Sequence, residues 1–321
     1  MKLDIKNEVI VVTGGLGCIG SNLIRALLKM GAKKVVVMDD MSSGVNKPAQ
    51  GVEFIHCDIA NQEKIAGLIR SVGPTTIFHL AAHFANQNSV DHPRSDAATN
   101  IIGLINVYEA VRALPVRSKI LYASSSCVYG HSAEMAEDTT LRPYETPYAI
   151  SKYAGELYAQ YYAQVQKVPS VSVRIFNTYG PGEAPGAYRN VIPNFISKAL
   201  DGAPITITGS GLETRDFTFV DDTADLLIRA AYSQYENGDV FNGGTGTQTR
   251  IKDLAEEIIR LTKSKSELVF QPRRNWDMVS NRCADNSKAK ELLGYDPRTP
   301  LGQGLLETIE WVRAWRDQGA H

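Results

Sequence analysis

One short glycine-rich turn constrains the fold of this chain more than any other segment. Val9–Val12 is a run of apolar, mostly β-branched residues, and Thr13–Gly20 follows it directly with glycine at positions 14, 15, 17 and 20. A helical pattern runs from Ile19 to Met30. Glycine permits a tight turn, and the backbone N–H groups that open the helix can bind a pyrophosphate. The order of strand, glycine turn and helix therefore predicts the first βα unit of a dinucleotide-binding sheet.

The alternation of strands and helices continues along the first half of the chain. Strands are predicted at Val9–Val12, Lys34–Asp39, Val52–Asp58, Thr76–Leu80, Lys119–Ser124 and Val171–Asn177, and helices at Ile19–Met30, Gln62–Arg70, Ala97–Ala113 and Ala149–Gln166. Continuously apolar strands such as Val35–Met38 suit a parallel sheet that is covered on both faces. We therefore predict an α/β fold built on a Rossmann-type, doubly wound parallel sheet.

After Asn177 the predicted elements become shorter and the strict alternation of strand and helix ends. A loop rich in Gly and Pro, Tyr179–Tyr188, precedes shorter elements predicted at Ile192–Leu200, Ile205–Ile207, Thr223–Tyr235, Ile251–Thr262 and Gly304–Arg316. We predict a dinucleotide-binding domain over residues 1–178 and a smaller C-terminal α+β substrate lobe over 179–321, with about 217–245 returning to the first domain. A ligand site is expected in the crevice between them, at the carboxyl ends of the strands.

Charge and composition restrict the partners of this protein. The 34 basic residues nearly balance the 35 acidic ones, so the net charge of −1 gives no reason to expect nucleic acid or a membrane surface as a partner. Four scattered cysteines and the spacing of His79, His83 and His92 predict neither a disulfide framework nor a metal site. Asp4 and Glu8 do not suit a signal peptide, so the cytoplasm is the predicted location.

The second and third predicted strands each end in an aspartate. Asp39 lies 19 residues after Gly20, where its carboxylate can bind the hydroxyls of an adenosine ribose and would repel a 2′-phosphate. No Arg or Lys follows it directly, which predicts NAD rather than NADP. Asp58 could contact the adenine amino group, but a helix N-cap explains it almost equally well. Whether Gly14 or Gly15 belongs to the functional triplet stays open at this point.

A tyrosine and a lysine open the helix predicted after residue 148. Tyr148 and Lys152 are four residues apart and so share one helical face. Holding a tyrosinate at neutral pH means lowering its pKa by about three units, or roughly 4 kcal/mol, and Lys152 with a positive nicotinamide ring could provide that field. The pair is common on surfaces, but after a dinucleotide motif it favours catalysis. The serines at 124–126 end a strand and could bind a substrate oxygen, or could simply satisfy their own turn.

These motifs resemble the extended short-chain dehydrogenase/reductase family, in its nucleotide-sugar epimerase/dehydratase branch, and are most similar to UDP-galactose 4-epimerase-like enzymes. The matching segments are Thr13–Gly20, Met38–Gly44, Phe78–Ala82, Ser124–Gly130, Tyr148–Lys152, Arg174–Gly182, Thr214–Asp222 and Ala284–Tyr295. They cover nearly the whole chain in order. The resemblance implies an NAD-dependent isomerase that works as a homodimer, packed through helices Ala97–Ala113 and Ala149–Gln166.

The resemblance also implies a role for individual residues. Ser125 would bind the reacting oxygen, Tyr148 would be the base, and Lys152 would assist it and hold the nicotinamide ribose. The remaining cofactor contacts would come from Gly14, Gly17, Cys18, Ile19, Gly20, Asp39, Asp40, Ser43, Asp58, Ile59, Leu80, Ala81, Ala82 and Asn100. The substrate would be bound by Ser125, Asn177, Asn190, Val191, Arg215 and Arg274. Arg273 adjoins Arg274, and the segment Gln271–Arg282 departs from the usual spacing, so that last assignment stays open.

The residues after Ser125 indicate which reaction the resemblance implies. Dehydratases of the branch carry an acid pair after the catalytic hydroxyl, and UDP-glucuronate decarboxylases carry a glutamate, whereas this chain has Ser126 and Cys127. Dehydration then lacks its general acid. The implied reaction is 4-epimerisation, in which C4 of the sugar is oxidised to a ketone, the sugar turns, and the hydride returns to its other face.

Several alternatives remain open from the sequence. The enzyme could be a dehydratase, a decarboxylase or a C4 reductase of the same family, or the chain could be an NAD-binding regulator without turnover. A UDP-sugar is the preferred substrate and a GDP-sugar is the alternative. Sugars of the glucose, N-acetylglucosamine and glucuronate types all suit the polar segment His83–Ser89.

Overall fold

The computed structural model describes residues 5–319. Its strands are β1 (Val9–Thr13), β2 (Lys34–Asp39), β3 (Glu53–His56), β4 (Thr76–His79), β5 (Lys119–Ser125), β6 (Ser170–Ile175), β7 (Asn177–Tyr179), β8 (Ile205–Thr208), β9 (Thr214–Arg215), β10 (Phe217–Phe219), β11 (Asn237–Gly243), β12 (Thr249–Arg250) and β13 (Leu268–Gln271). Its α-helices are α1 (Cys18–Lys29), α2 (Gln62–Val72), α3 (Asn86–Asp91), α4 (Pro93–Ala97), α5 (Leu104–Arg112), α6 (Pro147–Gln164), α7 (Val191–Leu200), α8 (Val220–Ala231), α9 (Ile251–Thr262), α10 (Ser287–Leu293) and α11 (Leu301–Asp317).

Seven parallel strands form the central sheet, in the order β11-β6-β5-β4-β1-β2-β3. The chain builds outward from β1 to β3, then returns to the other side of β1 and continues from β4 to β6. The strand order therefore reverses between β1 and β4, and a crevice opens at their carboxyl ends. This topology confirms the predicted doubly wound α/β fold.

Alternation along the central strands explains why they read as unbroken apolar runs. Val12 and Val37 face a core that α1 and α8 cover, together with Leu23 and Leu227. The neighbouring residues Val11 and Val36 face the opposite core, which α2, α5 and α6 cover. Successive side chains of a strand point to opposite faces, so a sheet with helices on both sides requires apolar residues at every position.

A separate core organises most of the C-terminal part of the chain. Helices α7, α9 and α11 pack around Ile196, Leu254 and Ile309, beside three two-stranded sheets that pair β7 with β10, β9 with β12 and β8 with β13. Most of the segment from α8 to β11 lies outside this core, and only Val220, the first residue of α8, belongs to it. Instead, α8 packs on α1, and β11 forms the edge of the central sheet next to β6.

Three predicted elements differ from the structure in ways that matter for the site. The single helix predicted at Ala97–Ala113 is α4, a π-helical stretch at Ala98–Gly103 and then α5. The strand predicted at Val171–Asn177 ends at Ile175, and Asn177 opens β7. The predicted third strand, Val52–Asp58, is shorter at both ends, so Asp58 lies in the loop beyond β3.

No helix within residues 5–319 is long and apolar enough to cross a membrane. The same residues contain no cluster of three or more His, Cys, Asp or Glu side chains that could hold a metal ion. All four cysteines are free thiols. Asp4, on which the prediction about a signal peptide partly depends, lies outside the described residues.

Candidate active site

One large cavity follows the carboxyl edge of the central sheet, across the ends of β1, β2, β4 and β5. It brings together most of the residues that the sequence predicted for the cofactor and substrate. Those that line it are Gly14, Gly17, Cys18, Ile19, Gly20, Asp39, Asp40, Ser43, Asp58, Ile59, Leu80, Ala81, Ala82, Ser125, Tyr148, Lys152, Asn177 and Asn190. Four predicted residues do not line it, namely Asn100, Val191, Arg215 and Arg274.

The glycine turn forms a cradle at one end of the cavity. Gly14 has a φ of +69°, and a Cβ there would lie 2.6 Å from the backbone nitrogen of Ala81. A Cβ on Gly20 would lie 2.5 Å from the carbonyl oxygen of Gly14. At Gly17 the nearest atom to a Cβ is 3.4 Å away, so a side chain there would extend into the cavity instead. This geometry favours Gly14, Gly17 and Gly20 as the functional triplet, with Gly17 leaving room for a pyrophosphate.

Asp39 lies beside this cradle and is 7% exposed. Its two carboxylate oxygens accept hydrogen bonds from the backbone N–H groups of Leu16, at 3.0 Å, and Met41, at 2.8 Å. The carboxylate is therefore fixed at the end of β2, where it can also accept from ribose hydroxyls and would repel a 2′-phosphate. The cradle and this carboxylate together fit NAD.

Asp58 lies in the same cavity, and its structural role is a turn rather than a helix cap. Its Oδ1 accepts a hydrogen bond from the Ala60 N–H at 2.8 Å. The N-cap of α2 is Asn61, whose side chain accepts from the Lys64 N–H. The alternative interpretation of Asp58 as the helix N-cap is therefore wrong, and its second oxygen faces no partner that would prevent a contact with adenine.

The start of α6 places Tyr148 and Lys152 at the centre of the cavity. Thr146 caps the helix by accepting from the Ala149 N–H at 3.2 Å, and Pro147 occupies the first helical turn. One turn after Tyr148, the Lys152 Nζ donates to the Ala123 carbonyl at 2.9 Å and lies 5.7 Å from the centre of the Tyr148 ring. Both side chains are buried, so the pair is not a solvated surface pair.

Burial has the largest effect on the pKa values of Tyr148 and Lys152. It raises the pKa of Tyr148 well above its usual range, and a hydrogen bond with the Ser125 side chain opposes the rise only in part. Burial lowers the pKa of Lys152 to about 8, while the carboxylate of Asp96 opposes that change. Burial therefore opposes the predicted lowering of the Tyr148 pKa, and the part of Lys152 in that lowering stays a prediction. The positive charge of a bound nicotinamide is the other part of that prediction.

Of the three serines at 124–126, the first two end β5 and have different partners. Ser124 donates a hydrogen bond to Glu156 Oε1 at 2.5 Å, so its hydroxyl proton is already used within the protein. Ser125 lines the cavity together with Tyr148 and acts to lower the Tyr148 pKa, and its Oγ accepts the Cys127 N–H at 3.2 Å. Ser125 thus satisfies its own turn and still influences the Tyr148 phenol, which separates it from Ser124.

The histidines that the sequence set aside as structural or pocket-lining occupy such positions. His79 is buried, and its Nδ1 lies 3.0 Å from the Thr13 hydroxyl; burial lowers its pKa to about 3, so it stays neutral. His83 lines the cavity, and its ring meets His92 edge to face. In residues 5–319 none of the three belongs to a metal-binding cluster.

The residues predicted for the diphosphate are only partly assembled. Asn177 lines the cavity, and its Oδ1 is buried without a partner, which leaves an acceptor for a ligand. Arg215 is mostly buried beside the cavity and pairs with Asp277 at 3.5 Å; burial, followed by repulsion from Arg282, lowers its pKa to about 10. Arg274 is exposed, with its guanidinium 5.6 Å from the centre of the Trp276 ring.

Comparison with known proteins assigns this architecture to a family. Residues 10–244 match the model of the NAD dependent epimerase/dehydratase family. The chain belongs to this family. The match spans the glycine cradle, Ser125, Tyr148, Lys152 and Arg215, and it confirms both the predicted family and the predicted dependence on NAD.

Relatives of known name match over nearly their whole length. The UDP-glucose 4-epimerase of Mycolicibacterium smegmatis is 35% identical, over 94% of this chain and 98% of that protein. The UDP-N-acetyl-alpha-D-glucosaminuronate decarboxylase of Bacillus cytotoxicus is 33% identical, over 94% of this chain and 97% of that protein. The structure of the Thermotoga maritima UDP-glucose 4-epimerase with UDP-glucose superimposes with a TM-score of 0.90 at 33% identity, covering 95% of this chain and 98% of that one.

Three residues of this family member were missed from the sequence. Arg282 lines the cavity and donates to Cys127 Sγ at 3.2 Å. Asp96 is buried and accepts a hydrogen bond from Asn100 Nδ2 at 2.8 Å. Its carboxylate also interacts electrostatically with Lys152 and acts to raise the pKa of that lysine. Glu183 is buried in the cavity wall and holds Asn190 through its backbone and side-chain nitrogens, each at 3.1 Å. Arg282 and Asp96 carry no local signal of their roles, because Cys127 and Lys152 are distant in the sequence, whereas the contact of Glu183 with Asn190 spans only seven residues.

Proposed function

We propose that this protein is an NAD-dependent nucleotide-sugar 4-epimerase, with a UDP-sugar as its substrate. One observation carries the proposal: Ser125, Tyr148 and Lys152 converge on the cavity that holds the glycine cradle, and a thiol, Cys127, stands where dehydration would need an acid. Relatives named as UDP-glucose 4-epimerases support it over nearly the full length of the chain.

The catalytic side chains divide the work at the sugar C4 hydroxyl. Bound NAD supplies the chemistry of accepting a hydride from C4 and returning it. Tyr148 takes the hydroxyl proton and later gives it back, and Ser125 hydrogen-bonds the same oxygen. Lys152, held by the Ala123 carbonyl, supplies a positive charge in a buried site, where electrostatic interactions are strong.

The distribution of acids in the cavity favours epimerisation over dehydration. Of the described residues that line it, the acids are Asp39, Asp40, Asp58 and Glu183. The three aspartates follow β2 and β3 at the adenosine end, and Glu183 is engaged with Asn190. No lining carboxylate of residues 5–319 adjoins Tyr148, so a leaving hydroxyl would lack its proton donor.

The second lobe would anchor the nucleotide. Asn177, whose amide nitrogen can donate to a phosphate oxygen, and Arg215 are the strongest candidates to hold the diphosphate, since a guanidinium binds such oxygens in pairs. Asn190 and Val191 open α7 beside them. We propose residues 1–178 as the NAD domain and 179–321 as the nucleotide-sugar lobe, with 217–245 part of the first. Free cysteines suit the reducing cytoplasm.

We also propose that the enzyme is a homodimer. Four large apolar side chains recur on one face along α6 at intervals of seven, four and four residues, and each is between 45% and 61% exposed: Ile150, Leu157, Tyr161 and Val165. Ile102, 51% exposed, comes from the π-helical stretch that packs beside α6. A contiguous apolar face on two adjacent helices is typical of a protein–protein interface.

The proposal is tested with purified protein and a panel of UDP- and GDP-sugars, with products separated and weighed. A new product of unchanged mass is expected. Tyr148→Phe keeps the ring that packs edge to face on Phe84, 5.9 Å between centres, and removes only the hydroxyl. We expect its turnover to fall at least about 100-fold with NAD binding retained.

Tyr144→Phe is the matched control, because Tyr144 is 65% exposed and lies outside the cavity. Its turnover should equal that of the natural chain. Loss of water or of carbon dioxide from the substrate would instead identify a dehydratase or a decarboxylase. Net consumption of NADH would identify a C4 reductase, and NAD binding without product from any sugar would favour a regulator.

A further inference from the structure

Arg282 is a buried cation at the reacting end of the cavity, and the proposed reaction gives it no role. It is 7% exposed, and it lines the cavity together with Ser125 and Tyr148. Its Nη1 donates to Cys127 Sγ at 3.2 Å, and its Nε is buried without any partner. A thiol is a weak acceptor, so the guanidinium lacks the strong acceptor that a buried charge requires.

The surrounding charges do not neutralise this group. Among residues 5–319 no carboxylate forms an ion pair with Arg282. The nearby Asp277 is shared by two other guanidinia, those of Arg215 at 3.5 Å and Arg273 at 3.7 Å. The wall therefore carries more positive than negative charge, and an anionic ligand is the group that would balance it.

The place of Arg282 defines which part of a substrate it can reach. Cys127, its partner, packs directly with Tyr148 and Ala149. Tyr148 marks the position of C4 of the sugar. In a pyranose ring C5 is bonded to C4, whereas C1, which carries the diphosphate, lies across the ring. C3 is bonded to C4 as well, but its hydroxyl is neutral, so a cation one thiol away from Tyr148 is placed for an anionic substituent of C5.

We propose that Arg282 recognises a carboxylate on C5, so that the substrate class of this enzyme is the nucleotide hexuronates. A guanidinium binds a carboxylate through two parallel hydrogen bonds, and the unpartnered Nε with one Nη provides such a pair. Asn86, whose Nδ2 lies 3.5 Å from the same sulfur, extends the polar wall on the other side of Cys127. This inference rests on the proposed 4-epimerisation, since that reaction places C4 at Tyr148.

The test compares UDP-glucuronate with UDP-glucose for the natural enzyme and for Arg282→Met, a change that keeps the length of the apolar stem and removes the charge. The natural enzyme should have the higher kcat/KM for UDP-glucuronate. Arg282→Met should lower that value by about 30-fold or more, and the value for UDP-glucose by less than about threefold. Arg282→Lys should retain part of the preference. Arg70→Met, an exposed arginine in the last turn of α2, is the matched control.

Inhibition by UDP and retention of NAD distinguish a contact with the sugar carboxylate from a contact with the diphosphate or the cofactor. Equal losses for both sugars, with weaker inhibition by UDP or weaker retention of NAD, would assign Arg282 to one of the latter and overturn the inference. A natural enzyme that prefers UDP-glucose would overturn it as well. If no sugar of the panel is turned over, the proposed function fails, and calorimetric binding still decides the inference: equal affinity of the natural chain for UDP-glucuronate and UDP-glucose would refute it.

Discussion

A buried ion pair behind the active site leads to the sharpest stability prediction. Glu156 and Arg174 are 1% and 3% exposed. The Arg174 Nε and Nη2 donate to the two oxygens of Glu156 at 3.0 and 2.9 Å, and Ser124 donates to the same carboxylate at 2.5 Å. Glu156 lies one turn after Lys152 on α6, while Ser124 precedes Ser125. The pair therefore joins β6 to β5 and α6, the two elements that carry the proposed catalytic residues.

Glu156→Gln removes the charge of the carboxylate and leaves its shape almost unchanged. The Arg174 guanidinium then stays buried without a counter-ion, and breaking such a pair from one side costs about 3–5 kcal/mol. For a chain of this size about 2 °C of unfolding temperature corresponds to each kcal/mol, so the midpoint should fall by about 6–10 °C. Turnover should fall with it, because α6 loses its hold on the ends of β5 and β6.

Thermal unfolding followed by circular dichroism measures this shift. Glu257→Gln is the matched control, since Glu257 pairs with Arg260 at 2.6 Å on the surface, where the side chains are 31% and 68% exposed. The control should lie within about 1 °C of the natural chain, as surface pairs contribute little. The double variant Glu156→Met with Arg174→Met should be more stable than Glu156→Gln. A midpoint for Glu156→Gln within about 2 °C of the natural chain would refute the reasoning.

Two further predictions concern the cofactor and the assembly. Gly17→Val should abolish NAD binding, measured by calorimetry, with little change in the unfolding temperature. Gly20→Val should lower both the affinity for NAD and the unfolding temperature, because its Cβ would collide with the backbone. Equal destabilisation by the two substitutions would contradict the proposed role of Gly17 in the cradle. Leu157→Asp should sediment as a monomer at concentrations where the natural chain is a dimer, because the substitution would bury a charge in the proposed interface. If this variant remains a dimer, the interface lies elsewhere.

The sequence predicted six of the seven strands of the central sheet, because most of them are short apolar runs whose ends are marked by glycine or a change of period. It did not predict β11, whose polar sequence contains asparagine, aspartate and glycine. The helix at Ala97–Ala113 shows where such signals fail. Its π-helical stretch contains Asn100, whose side chain bonds Asp96, Ser151 and the His83 N–H. The contacts with Ser151 and His83 come from other segments of the chain, and the hydrophobic period of the predicted helix does not indicate them.

The candidate site shows the same difference between local sequence signals and long-range contacts. Tyr148 and Lys152 were predictable because their spacing alone puts them on one face of a helix, and Gly17 because its turn follows a strand. Arg282 contacts Cys127 across 155 residues of sequence, within a segment whose spacing departs from the family. The residues proposed for the chemistry thus lie in short motifs. The residue proposed to select the sugar depends on a long-range contact, and on this proposal relatives that share the motifs can differ in substrate.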